Sequence, residues 1–219
     1  MPELPGQVLL STAYFPPVQY FSIINGCRSV LIERHENYTK QTYRNRTVIL
    51  SANGVMPLVI PVKRLRGAKT IISEVRADNS CQWQKLHRIS IESAYRSSPY
   101  FDYYFDDLEH FFRKNYNFLI DLNTEILDKI ICLLNIKISI DFTTRYAEPV
   151  PPGIIDMRDL IHPKKRDSDC PVKFRAGEYY QVFGNRHGFQ PDLSILDLLF
   201  NLGPDAPSYL EAGEKNISS

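Results

Sequence analysis

Residues 46–62, RTVILSANGVMPLVIPV, decide the fold class. Two apolar, β-branched runs flank Asn53-Gly54, a dipeptide that supplies the positive φ angles of a type I′ turn. The pattern predicts a β-hairpin. On its N-terminal side, Val30 to Glu33 has strand character, Val18 to Ile24 suits a short helix, and Val8 to Ser11 reads as a strand running into Tyr14-Phe15-Pro16-Pro17. On its C-terminal side, Thr70 to Val75 reads as a further strand. The period then turns helical from Trp83, with Trp83, His87, Ser90, Ile91 and Ala94 on one face. Ser98 before Pro99 suits the cap of a second helix, whose Phe101, Tyr104, Phe105, Leu108, Phe111 and Phe112 keep an i, i+3, i+4, i+7 register. A third helix is expected from Asn123, and Ile136, Ile138, Ile140 and Phe142 alternate as a strand does. Beyond the proline-rich segment Glu148 to Gly153, Glu178 to Phe183 suits a strand and Leu193 to Asn201 a helix halted by Gly203-Pro204.

These readings assemble into an α/β (mixed α+β) fold. The expectation is a single domain over residues 1–212 with a polar tail at 213–219. The hairpin is expected to pair within one mixed sheet, with the helices between Trp83 and Asn135 packed on it. A chain of 219 residues, 43% hydrophobic and 23% charged, can bury such a core. A net charge of +1 provides no global field for nucleic acid. Cys27, Cys81, Cys132 and Cys170 are scattered without a C-x-x-C pair, which suits reduced thiols and no structural zinc. Cys132 is expected to pack as a small hydrophobe in an apolar helix. No segment reads as a secretory signal or a membrane span, so the expected location is cytoplasmic, without a membrane partner.

The run Tyr38 to Arg46 precedes the hairpin and concentrates polar chemistry. Lys40, Arg44 and Arg46 supply cations, Gln41 and Asn45 amide forks, and Tyr38 and Tyr43 faces for stacking. Such groups hold an anionic ligand, since guanidinium forks match carboxylate and phosphate; the same run also suits a solvent-facing strand. His87, mid-face between Trp83 and Ile91, is a candidate general base or a core histidine bonded to a carbonyl. Ten of the 24 residues from Tyr95 to Phe118 are aromatic and mostly follow the core register, with Tyr100 and Tyr103 beside it. Gly184 to Gly188 is a polar turn or an anion nest. The segment His162 to Arg166 looks solvated. Nucleotide cradles, a serine elbow and an HExxH pair are all absent from the sequence, so no ATP-driven activation step and no metal or cofactor is expected.

Read in order, several short stretches resemble the WbqC-like family, associated with bacterial O-antigen and other surface polysaccharides. They are Tyr14-Phe15-Pro16 with Tyr20-Phe21 and Ile24; Tyr38 and Lys40 with Asn45-Arg46; Pro61-Val62; Trp83 with His87; and Ala94-Tyr95 with Pro99-Tyr100-Phe101. Asp121-Leu122-Asn123 and Pro191 to Asn201 complete the series, which spans most of the chain. Two departures stand out. Ser11-Thr12 replaces the His-Gln-Pro or Gln-Pro that usually opens the family, and its later glycine-rich segment is not evident between Asp156 and Gly177.

The resemblance implies a transferase of surface-polysaccharide biosynthesis, moving an aminoacyl group, specifically glycine, onto a nucleotide-linked amino sugar. That reaction needs a base for the ammonium proton, donors for the oxyanion and cations for a diphosphate. The implied assignments are His87 as base, Asn45 or Tyr95 as oxyanion donor, and Lys40, Arg44, Arg46 and Arg96 as the anion clamp. Tyr14 and Tyr43 join them at the substrate, and these residues are expected to share one cleft. The implied partners are an anionic small molecule and a pre-activated acyl donor; nucleic acid enters only as an aminoacyl-tRNA. The rival reading is a non-catalytic module that binds an anionic ligand or sugar nucleotide, with His87 structural.

Overall fold

The computed structural model describes residues 6–63, 70–163, 172–175, 177–212 and 214–217, of which 172–175 and 214–217 as backbone alone. Strand β1 (Gln7–Ser11) leads through helix α1 (Val18–Gly26) to β2 (Ser29–Glu33), a β-α-β unit whose strands pair in parallel. Val8, Leu9 and Leu10 are all buried, as they must be where both faces of a parallel sheet are covered. The hairpin follows as β3 (Arg46–Ser51) and β4 (Gly54–Val59), with Gly54 at φ +104°. Next come α2 (Trp83–Tyr95), α3 (Phe101–Glu109) and α4 (Leu119–Leu133), then β5 (Ser139–Phe142) and β6 (Ile154–Asp156). Strands β7 (Val172–Arg175) and β8 (Glu214–Ile217) form an antiparallel pair. Between them lie a short turn of helix α5 (Gly184–His187), α6 (Ile195–Leu202) and α7 (Ala206–Ala212).

The four-stranded sheet has the order β5-β2-β1-β6, every pair parallel. The fold class is therefore mixed α/β with a hairpin and flanking helices in one domain, as expected. The hairpin, however, forms a two-stranded sheet of its own rather than joining the larger one. It is held instead by its neighbours. Helices α2 and α6 pack on β3, the Ser194 amide donates to the Val48 carbonyl at 2.7 Å, and the Thr47 hydroxyl donates to Phe15 at 2.8 Å.

Other local expectations change for physical reasons. Ile72–Glu74 is a 3₁₀ turn, closed by the Glu74 amide on the Ile71 carbonyl at 2.9 Å and the Val75 amide on the Ile72 carbonyl at 3.2 Å, with Ile72 and Val75 both buried. Helix α4 begins four residues before Asn123, whose side chain faces inward to donate to the Arg44 carbonyl at 2.8 Å. Ser98 does not cap α3: its hydroxyl is buried without a partner, and Phe101 bonds its main-chain carbonyl. Residues 178–183 form no strand, and Gly184 to His187 is helical. Cys132 is exposed, one step off the apolar face of α4. Lys164 to Arg166 and Cys170 lie outside the described residues. Among the described residues no helix is long and apolar enough to cross a membrane.

Candidate functional site

Sequence order reverses across β1. From it the chain passes to β2 on one side, while β6 arrives on the other. At such a reversal the connections leave a crevice at the carboxyl ends of the strands, the place where open α/β sheets bind ligands. The last residue of β1, Ser11, pairs in register with Glu33, the last of β2. Beyond β6 comes Arg158. Charged groups are therefore gathered at this edge.

Glu33 is fully buried, and its carboxylate accepts from four donors: the Thr143 hydroxyl at 2.6 Å, the His35 and Ala147 amides at 2.8 and 3.0 Å, and the Arg158 guanidinium at 3.2 Å. That satisfies the oxygens of a buried charge, which would otherwise be prohibitively desolvated. Arg158 also grips Asp156 through Nε at 2.9 Å and Nη2 at 2.7 Å. Those hydrogen bonds hold the guanidinium above its ordinary range. Partial burial pushes the Asp156 carboxyl up, but the bonds from Arg158 leave it lowered overall.

A second buried pair lines the crevice. Arg44 donates from Nε to Glu36 at 2.8 Å and from Nη2 to its other oxygen at 2.5 Å, with both side chains under a tenth exposed. The same Nη2 reaches the Ser11 hydroxyl at 2.8 Å, and that hydroxyl lies 3.1 Å from both Glu36 and the Arg158 carbonyl. Tyr20 donates to the Ser11 carbonyl at 3.0 Å; burial and then the Glu36 charge push its phenol up. The resulting narrow cleft, of only about 10 Å³, is walled by Ser11, Thr12, Tyr20, Tyr43, Arg44 and Arg158. Among the described residues the Thr12 hydroxyl makes no hydrogen bond, although the residue is only 4% exposed. It is the open polar group of the wall.

The residues singled out in sequence separate into several neighbourhoods. Tyr43 and Arg44 are on the cleft. Tyr14 joins it through its main-chain amide, which donates to the Tyr43 carbonyl at 2.9 Å, while its hydroxyl meets His87 Nδ1 at 3.0 Å. His87 is enclosed by the rings of Tyr14 and Trp83, outside the residues lining the cleft. Burial drives its pKa down to about 4, against a smaller opposing effect of the Val59 main chain. The ring is therefore neutral at pH 7. The Tyr14 hydroxyl donates to Nδ1 when Nε2 carries the proton of the neutral imidazole.

Asn45 is buried at the head of β3, its amide donating to the Ile60 carbonyl at 2.8 Å. The oxygens of Asn45 and Asn123 and the Nε of Arg46 are buried without partners. Lys40 and Arg96 are exposed. Arg96 follows Tyr95, which lies eight residues beyond His87 on α2, or about 12 Å along the helix axis. Tyr95 belongs to a different cluster centred on Asp197.

Asp197 was not marked by the sequence reading. It is 1% exposed and accepts on one oxygen from Tyr179 at 2.5 Å and Gln181 at 2.8 Å. Its other oxygen and the Tyr95 hydroxyl are both buried without a well-formed hydrogen bond. Burial pushes the carboxyl up to about 6 despite those donors. Glu33, Glu36, Asn123 and Arg158 were also missed. The available signals were a carboxylate inside the apolar run Leu193 to Phe200, and acidic residues immediately after an apolar strand, where a sheet ends.

Comparison with known proteins places the chain. The model of the WbqC-like protein family matches residues 12–151, from Thr12 on the cleft wall through Glu36, Arg44, His87 and Asn123. The "Uncharacterized protein Rv1507c" of Mycobacterium tuberculosis is 27% identical over 231 residues, covering 92% of this chain and 96% of that protein. No solved structure matches. The chain belongs to the WbqC-like protein family.

Proposed function

We propose that this protein is a small-molecule transferase of bacterial surface-polysaccharide assembly, acting in the cytoplasm. In this reading it moves an aminoacyl group such as glycine from a pre-activated donor, an aminoacyl-tRNA or carrier thioester, onto the amine of a nucleotide-linked amino sugar. One observation carries it: Ser11-Thr12, Glu36 with Arg44, and Arg158 come from three separate chain segments to the single edge where strand order reverses. The amine nitrogen attacks the acyl carbonyl, forming the amide bond, and the donor's ester or thioester bond breaks with its electron pair leaving on oxygen or sulfur. The amine's proton passes to the Ser11 oxygen as Ser11 gives its own to Glu36. Thr12 supplies a free hydroxyl to the reacting head, and Tyr43 flanks the anionic end.

His87 holds a positioning role here. A ring with pKa about 4 is a weak base at neutral pH, and its Nδ1 is occupied by Tyr14, whose main chain braces Tyr43. Asn45 and Arg46 follow Arg44 directly but do not line the cleft, and the Asn45 amide is spent on the Ile60 carbonyl. Tyr95 and Arg96, at the far end of α2, take no part. The binding-module reading keeps one observation in its favour. His87 is buried and neutral at pH 7, as the structural role given to it in that reading requires, while the internal pairing of Arg44 and Arg158 with carboxylates counts against an anionic end in either reading. A transfer assay with radiolabelled glycyl donor and UDP-glucosamine separates the two. Product formation that Thr12→Val reduces about tenfold or more supports transfer. Tight binding of UDP-glucosamine with no product supports the module.

A further inference from the structure

A wide cleft walled by hydrogen-bonding groups lies one strand away from the β1–β6 crevice. It is an open groove of about 550 Å³ between the ends of β2 and β5 and the first turns of α4. Arg34, which follows β2, stacks its guanidinium over Phe142 at the end of β5, 5.2 Å from the ring centre. Opposite stand Asn117, Phe118, Asp121 and Thr124. Lys114 and Glu125 close the rim as an ion pair at 2.7 Å, steadied by the Tyr116 hydroxyl on Glu125 at 2.6 Å. Among the described residues, the side chains of Asn117, Asp121 and Thr124 make no hydrogen bond or ion pair, and the Arg34 side chain makes only its contact with Phe142, while its main-chain amide donates to the Thr143 hydroxyl at 3.0 Å.

The charge pattern selects the ligand class. Two cations, Arg34 and Lys114, face two carboxylates, Asp121 and Glu125, so the lining carries no surplus charge, Arg76 being engaged over the Phe118 ring 4.6 Å from its centre. A diphosphate would need such a surplus. The N-terminal turn of α4, which would otherwise favour an anion, is occupied by Asp121. What remains is an unspent carboxylate, an amide, a hydroxyl and a guanidinium around partly buried aromatic rings. Those groups suit a ligand with hydroxyls or an ammonium on an apolar ring face, since carboxylates and amides accept from hydroxyls and rings cover C–H surface.

We propose that this groove is a saccharide subsite, taking the pyranose ring of a neutral or amino sugar. Its place in a reaction rests on the transferase reading above. In-register pairing sets Ser11 beside Glu33, the neighbour of Arg34. Adjacent strands lie about 5 Å apart, so the backbone that carries Arg34 starts one strand over from the crevice.

The test is saturation-transfer NMR on the full chain with D-glucosamine and N-acetyl-D-glucosamine, and with inorganic phosphate as the contrasting probe. The expected result is saturation of the sugar ring protons but not binding of phosphate. Asp121→Ala and Asn117→Ala, both at exposed positions that should leave the fold intact, should weaken the sugar about tenfold or more. Arg96→Ala, at an exposed position outside both clefts, should leave sugar binding unchanged. Folded protein that binds neither sugar, sugar binding indifferent to Asp121 and Asn117, or phosphate displacing the sugar would each overturn the subsite. Sugar binding without glycyl transfer would leave the subsite standing and remove the transferase reading.

Discussion

Replacing Asp197 with Asn should expose a titration that the parent protein conceals. Asp197 is buried with its pKa raised from 3.8 to about 6, and His87 is buried with its pKa lowered from 6.5 to about 4. At about 1.4 kcal/mol per pKa unit each displacement is worth about 3 kcal/mol. The signs oppose. For Asp197 the stability is fully present below pH 3.8 and is lost as pH rises through about 6, because ionisation is costlier in the folded state. For His87 it is fully present above pH 6.5 and is lost as pH falls through about 4, because the unfolded chain takes up the proton first. Between pH 4 and 6.5 the two contributions largely cancel. Asn cannot ionise, so the stability difference, variant minus parent, should rise by about 3 kcal/mol from pH 4 to pH 7. Urea unfolding at half-unit pH intervals, followed by far-UV circular dichroism, measures that difference, and common surface titrations drop out of it. A difference that stays flat across this range would refute the account of Asp197 as a carboxylate buried without a cation.

Other substitutions probe the remaining joints. Arg44→Met strands the Glu36 carboxylate at a buried site and should cost about 3–5 kcal/mol, while adding Glu36→Leu should recover part of that loss in a double-mutant cycle. His87→Gln should reverse the slope found for Asp197→Asn, with the variant gaining on the parent as pH falls from 6.5 to 4, and turnover per folded molecule should change less than for Thr12→Val. Gly203→Ala places a Cβ 2.5 Å from the Tyr100 ring at φ +54°, and should cost about 1–3 kcal/mol in overpacking and about 1 kcal/mol more in backbone strain, read as a lowered melting temperature.

Elements whose signal is local were legible in the sequence. The hairpin follows from Asn53-Gly54, α2 and α3 from their aromatic and apolar periodicity, and β1, α1 and β2 from short apolar runs with clear boundaries. What depends on tertiary partners was not. Nothing in residues 46–62 states whether the hairpin joins a larger sheet. That is decided by α2, α6 and the Phe15 carbonyl, which accepts from both Thr47 and Ser194. The polar run was rightly seen as dense in donors, yet the partner of Arg44 is Glu36, eight residues back and brought round by a turn. Likewise Glu33 meets Arg158 only because β6 lies on the far side of β1, a topology that composition does not encode. His87 was placed correctly on an inward face, but the aromatic box of Tyr14 and Trp83 that lowers its pKa closes only in the fold.

The central claim is that substrate engages the carboxyl edge of the parallel sheet where strand order reverses. Backbone chemical-shift mapping with UDP-glucosamine titrated into isotopically labelled protein tests it most directly. The account predicts saturable perturbations at Ser11, Thr12, Tyr43 and Arg158, weakened in Thr12→Val. Perturbations confined to the surface around Tyr95, Arg96 and Asp197, with the β1–β6 edge silent, would contradict it.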